Sequence, residues 1–156
     1  MSLVKPMTGE VSLYMEAPPE KVWALVSDVT RIGEFSPETF EARWTRGSTG
    51  PEVGASFKGH VKRNGVGPTY WSLCHVTACV PNEVFEFSVG TRELTLNNWG
   101  YRLQPDGDGT LVTEYFRIEP SLPMRVYWTV LGPLRGRTNR QGMRTTLKRM
   151  KAVLEQ

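Results

Sequence analysis

Apolar and polar residues alternate with a period of two through most of this chain, and the spacing turns helical only near its two ends. Val11-Ser12-Leu13-Tyr14-Met15 reads as a first strand, stopped by Ala17-Pro18-Pro19-Glu20. Proline suits a helix's first turn, where its missing N–H costs nothing, and Val22, Trp23, Leu25, Val26 and Val29 follow at helical spacing. These predict a helix over Pro19–Asp28. Thr30 is placed to cap a second short helix that Ser36-Pro37 ends, because the residue before a proline avoids the helical region.

From Thr39 to Glu119 the pattern is all strand: Phe40–Thr45, Ala55–Arg63, Tyr70–Val80, Val84–Val89, Asn98–Leu103 and Thr110–Ile118. Pro105-Asp106-Gly107-Asp108-Gly109 turns the last pair into a hairpin. At the end, Met143, Leu147, Met150 and Leu154 form one apolar stripe of a long helix. The order predicts an α+β fold: a curved antiparallel sheet of six to seven strands around a long C-terminal helix, with two short helices after the first strand. A bent sheet cannot touch a straight helix everywhere, so a space is expected between them.

At 156 residues the expectation is a single ligand-binding domain over 1–156, with its core in 10–155. A composition of 39% hydrophobic and 22% charged residues is too apolar for a disordered chain. No apolar run is long enough to cross a bilayer, Met1–Glu10 lacks the apolar stretch of a secretory signal, and two cysteines exclude a disulfide scaffold. A cytoplasmic protein is expected. The net charge of +3 is uneven: residues 135–151 carry seven bases and no acid, which leaves the remainder acidic. This is no nucleic-acid footprint, which is usually wider and tied to a recognisable module. The basic face of the last helix is either solvated, or a weak contact for a membrane surface or for an acidic ligand group at the pocket entrance.

Several stretches resemble the START-like helix-grip (SRPBCC) superfamily and, within it, the polyketide cyclase/dehydrase and lipid-transport group. They are Ala17-Pro18-Pro19-Glu20-Lys21-Val22-Trp23, Val26-Ser27-Asp28-Val29-Thr30-Arg31-Ile32, Glu34-Phe35-Ser36-Pro37-Glu38, Gly50-Pro51-Glu52-Val53-Gly54-Ala55, Trp99-Gly100-Tyr101-Arg102-Leu103 and Gly109-Thr110-Leu111-Val112-Thr113-Glu114. The resemblance spans about Glu10 to Glu155. It implies the helix-grip fold; it does not choose among carriers, sensors and cyclases, because one fold hosts many functions.

If residues 103 and 112 face each other across the last hairpin, Tyr101 pairs with Glu114 and Trp99 with Phe116, and the apolar members fix that face as the inner one. Glu114 then points inward beside Tyr101. It is either a polar anchor or general acid for a ligand, or an acid tied to structural partners. Phe57, Gly59 and Val61, then Cys74, Val76 and Ala78, then Phe85, Phe87 and Val89 supply an apolar lining. Trp71 breaks the alternation, so it lies outside or a bulge returns it inward. Met124, Tyr127, Leu131 and Leu134 are either a lid over the pocket mouth or an irregular start to the last helix.

His60 and His75, expected to face each other on the outer surface, are too few for zinc, and no metal site is expected. Cys74 and Cys79, five apart, are expected on opposite faces. No phosphate loop or dinucleotide fingerprint occurs, and no cofactor is expected. The first expectation is a binding or carrier protein for a hydrophobic small molecule, lipid or polyketide-like, acting as a monomer or dimer. The alternative is an aromatase/cyclase-type enzyme in which Tyr101 and Glu114 steer proton transfers. A third is a solid-cored member acting through its surface.

Overall fold

The structure, a computed structural model, describes residues 7–62, 68–90, 95–118 and 139–156. Seven strands form one antiparallel sheet: β1 (Met7–Met15), β2 (Thr39–Thr45), β3 (Ser56–Val61), β4 (Tyr70–Val80), β5 (Val84–Gly90), β6 (Thr95–Asp106) and β7 (Gly109–Ile118). They lie in the order β1-β7-β6-β5-β4-β3-β2, so β1 and β2 occupy opposite edges. The chain therefore crosses the whole sheet between its first two strands. Helix α1 (Pro19–Val26) and a 3-10 helix (Val29–Glu34) make that crossing. Pro19 opens α1, as its fixed backbone angle favours. The cap of the 3-10 helix is Asp28 and not Thr30: the Asp28 carboxylate accepts from the backbone N–H and the hydroxyl of Thr30.

A second helix, α2, runs over residues 139–154. Its stripe Leu147, Met150 and Leu154 is buried against the sheet together with Met15, Val22, Leu25, Val76, Phe85 and Val112. Trp23 of α1 meets Phe85 of β5 edge to face, 6.1 Å between ring centres. One end of the sheet is thus packed solid by α1 and the C-terminal half of α2.

Two details of register depart from simple alternation. Val76 falls opposite Phe87 and Ala78 opposite the next residue, Glu86, which leaves Thr77 as the extra residue of a β-bulge between Val76 and Ala78. The bulge shifts the side-chain parity beyond it, so Cys79 pairs with Phe85 and packs against the core, and Ala78 leaves the inner face. The expectation of opposite faces for Cys74 and Cys79 is corrected accordingly; both thiols are free. In β3 and β4, His60 lies opposite Trp71 and His75 opposite Ser56, so the two histidines do not meet. Trp71 stands outside. Its ring stacks on His60 at 4.2 Å, with the Lys58 ammonium 4.5 Å from the ring centre.

Gly100 belongs to the outer face as well. A side chain there would meet the Tyr115 ring at 2.4 Å; without one, the ring lies across β6 and its hydroxyl donates to Glu86 of β5 at 3.0 Å. Thr77 donates to the other oxygen of the same carboxylate, tying three strands together on the outer surface.

Candidate functional site

The sheet's other end is hollow. The C-terminal halves of β3, β5 and β7 and the N-terminal halves of β4 and β6 meet there, facing the first turns of α2. Between them is a cavity of about 430 Å³, walled at one side by Ile32, Ser36, Pro37, Glu38 and Thr39. That size falls within the usual range for small-molecule pockets. The reason lies in the length of the fillers: α1 covers only one end, so nothing of comparable bulk among the described residues covers the other.

The strands set most of the lining by parity. Phe57, Gly59 and Val61 come from β3, Cys74 from β4, Phe87 from β5, Trp99 and Tyr101 from β6, and Glu114 from β7. Gly59 contributes open space, with only the Thr39 methyl near the position of a missing side chain. Besides Ala78, which the bulge turns away, three expected lining residues stand elsewhere. Val76 and Phe85 share the inner face but lie at the packed end beneath α1, inside the core. Phe116 turns toward the β1 edge, where Gly9 leaves room for its ring, and packs with Ile118 and Met143; Trp99 stands beside it at 5.3 Å. Tyr127, Leu131 and the segment 122–134 lie outside the described residues.

The register of β6 and β7 pairs Leu103 with Val112, Tyr101 with Glu114 and Trp99 with Phe116. Glu114 is consequently in the interior, with 6% of its surface exposed. The Tyr101 hydroxyl donates to its Oε1 over a long 3.5 Å, and Oε2 has no partner among the described residues. Loss of solvent pushes the Glu114 carboxyl well above the usual carboxylate range, against a smaller opposing effect of the Tyr101 hydrogen bond. Tyr101 is raised too, by burial and then by the neighbouring carboxyl. A proton-bearing carboxyl both donates and accepts, so Glu114 can offer an O–H to a ligand. Burial pushes the Cys74 thiol up to about 12, which leaves it without nucleophilic character.

Asn97 and Asn139 are among the polar wall residues that alternation did not reveal. Asn97 precedes Trp99 and Tyr101 on the same face, and its Oδ1 is buried without a hydrogen-bond partner among the described residues. Beginning β6 at Asn98 hid it; the strand begins at Thr95. Asn139 lies one helical turn before Met143 in the apolar stripe, and both border the cavity. No group of three or more potential metal ligands exists among the described residues. No helix among them is long and apolar enough to cross a membrane.

Comparison with known proteins supports this architecture. A START superfamily protein from Mycobacterium smegmatis superposes with a TM-score of 0.74 at 17% identity, covering 95% of this chain and 97% of the other. The di-domain ARO/CYC StfQ of the steffimycin biosynthetic pathway gives 0.69 at 14% identity, covering 96% of this chain and 51% of that one. Both show a shared fold. A polyketide-cyclase-like protein from Corynebacterium glutamicum is 29% identical, with 97% and 89% coverage and a TM-score of 0.55. No protein of curated function matches. The profile of the family described as polyketide cyclase / dehydrase and lipid transport matches residues 7–155, nearly the whole chain, and the protein belongs to that family.

Proposed function

We propose that this protein, acting as one ligand-binding domain, holds a hydrophobic small molecule, lipid-like or polyketide-like, in the hollow between its sheet and α2. The observation that carries the reading is a largely apolar-walled cavity of about 430 Å³ with one buried carboxyl whose second oxygen is unpaired among the described residues. A solid core would have no use for such a group, since an unsatisfied buried polar atom costs on the order of 1–3 kcal/mol. A ligand that meets the carboxyl recovers that loss, and its apolar body gains the burial of the aromatic wall.

A second reading is favoured by the Tyr101–Glu114 pair. Two proton-bearing groups side by side in a largely apolar cavity can orient a reactive chain and pass protons to it, as an aromatase/cyclase would require. One experiment addresses both. The purified protein is loaded with a poly-β-ketone chain, analysed by native mass spectrometry, and the bound molecule is identified after denaturation. Recovery of the same molecule supports the carrier, and recovery of a dehydrated, cyclised product supports the enzyme. Failure of the protein to hold this chain or any co-purified or added hydrophobic molecule overturns both.

A further inference from the structure

Glu114 Oε2 and Asn97 Oδ1 are buried side-chain oxygens that lack a partner among the described residues, and both belong to residues of the cavity wall. They sit on neighbouring strands of the same sheet face. Asn97 lies opposite Ile118, and Glu114 lies opposite Tyr101. Four residues of strand therefore separate them, a span of ~13 Å at ~3.3 Å per residue. Trp99 stands between them on β6.

The charge inventory of the wall is equally selective. Its titratable side chains among the described residues are Glu38, Tyr70, Cys74, Tyr101 and Glu114, with no lysine, arginine or histidine. Among the described wall residues a carboxylate or phosphate brought into this space would meet acids and no counter-charge, and burying an uncompensated charge is costly.

Resting on the cavity reading above, we propose that the preferred ligand is an uncharged, elongated molecule with a polar group at each end. At one end a carbonyl accepts a hydrogen bond from the Glu114 carboxyl, and at the other a hydroxyl donates to Asn97 Oδ1. The apolar middle lies along Trp99. Anionic fatty acids of the same length are excluded. At ~30 Å³ per water-sized group, the cavity holds roughly fourteen non-hydrogen atoms. That number is also what such a spacing of end groups requires of an extended chain.

Three probes of matched length test this by isothermal titration calorimetry at pH 7: methyl 10-hydroxydecanoate, the 10-hydroxydecanoate anion and methyl decanoate. The wild-type protein binds the hydroxy-ester about tenfold more tightly than either of the others, the fold-change expected for one buried polar group left unpaired. Asn97→Ala abolishes the advantage of the hydroxy-ester over methyl decanoate. Glu114→Gln, whose amide N–H also donates, keeps the ester affinity within about threefold, whereas Glu114→Leu loses about tenfold. Thermal melts of each variant establish that it is folded. Equal or tighter binding of the anion, or an unchanged hydroxy-ester advantage in Asn97→Ala, overturns the proposal. If the three probes bind alike, only this inference falls and the cavity reading stands. If none binds and a hydrophobic dye is not taken up either, both fall.

Discussion

Glu114, a buried acid with no cation in reach among the described residues, is an uncomfortable side chain in this fold. Below the pKa of the unfolded chain, Glu114 carries its proton in both states and costs nothing beyond its unpaired oxygen. As pH rises, the unfolded chain releases the proton while burial keeps it on the folded one. Stability falls by ~1.4 kcal/mol for each pH unit between the two pKa values, then levels off once the folded group ionises. Glu114→Gln removes this titration and leaves the other groups in place. The stability of the variant minus that of the wild type is therefore expected to increase from pH 4.5 to pH 8. Urea unfolding at the two pH values measures it, and a difference that stays flat would show that Glu114 is already ionised or solvated in the native protein.

At the scale of elements, α2 is two helices in one. Met150 is fully buried in the packed end, and Met143, equally shielded from solvent, borders the hollow. The two side chains have the same transfer free energy, so a difference between their truncations isolates packing. Met150→Ala opens a new void in a dense core and is expected to cost about 2–5 kcal/mol. Met143→Ala merely enlarges space that already exists and forfeits fewer contacts, so its cost should be smaller by roughly 1 kcal/mol or more. Chemical denaturation of the two variants decides the matter; equal losses would mean that the hollow is filled in solution. This division was only half legible in the sequence. Period-two alternation located six of the strands within a few residues, and hairpin pairing put Glu114 inside beside Tyr101, because both depend on local rules of side-chain direction. What alternation cannot register is an extra residue: the bulge after Val76 reverses the facing of Cys79, with nothing at Thr77 or Ala78 to announce it. Nor does it tell which stretch of an inner face meets a helix. Phe85 and Phe87 are alike in the sequence, and the reach of α1 puts one in the core and the other on the cavity wall.

For the whole molecule, the hollow makes ligand binding and stability one quantity. Only the folded state has the cavity, so a ligand at a hundred times its dissociation constant adds about 2.7 kcal/mol to the unfolding free energy. For a chain of this size, 1 kcal/mol moves the melting temperature by roughly 2–4 °C, so saturation should raise it by about 5–11 °C. Stripping any bound molecule with organic solvent and refolding should lower the melting temperature of the purified protein by a comparable amount, and adding methyl 10-hydroxydecanoate should restore it. Ser72→Phe provides the control. Ser72 lines the cavity from β4, next to Cys74 on the inner face, so a phenyl ring there occupies ligand space while leaving the packed end untouched. This variant should melt at a temperature that neither stripping nor the probe alters. A wild-type protein whose melting is as indifferent as that of Ser72→Phe would mean that the hollow does not serve as a binding site, however well its walls suit one.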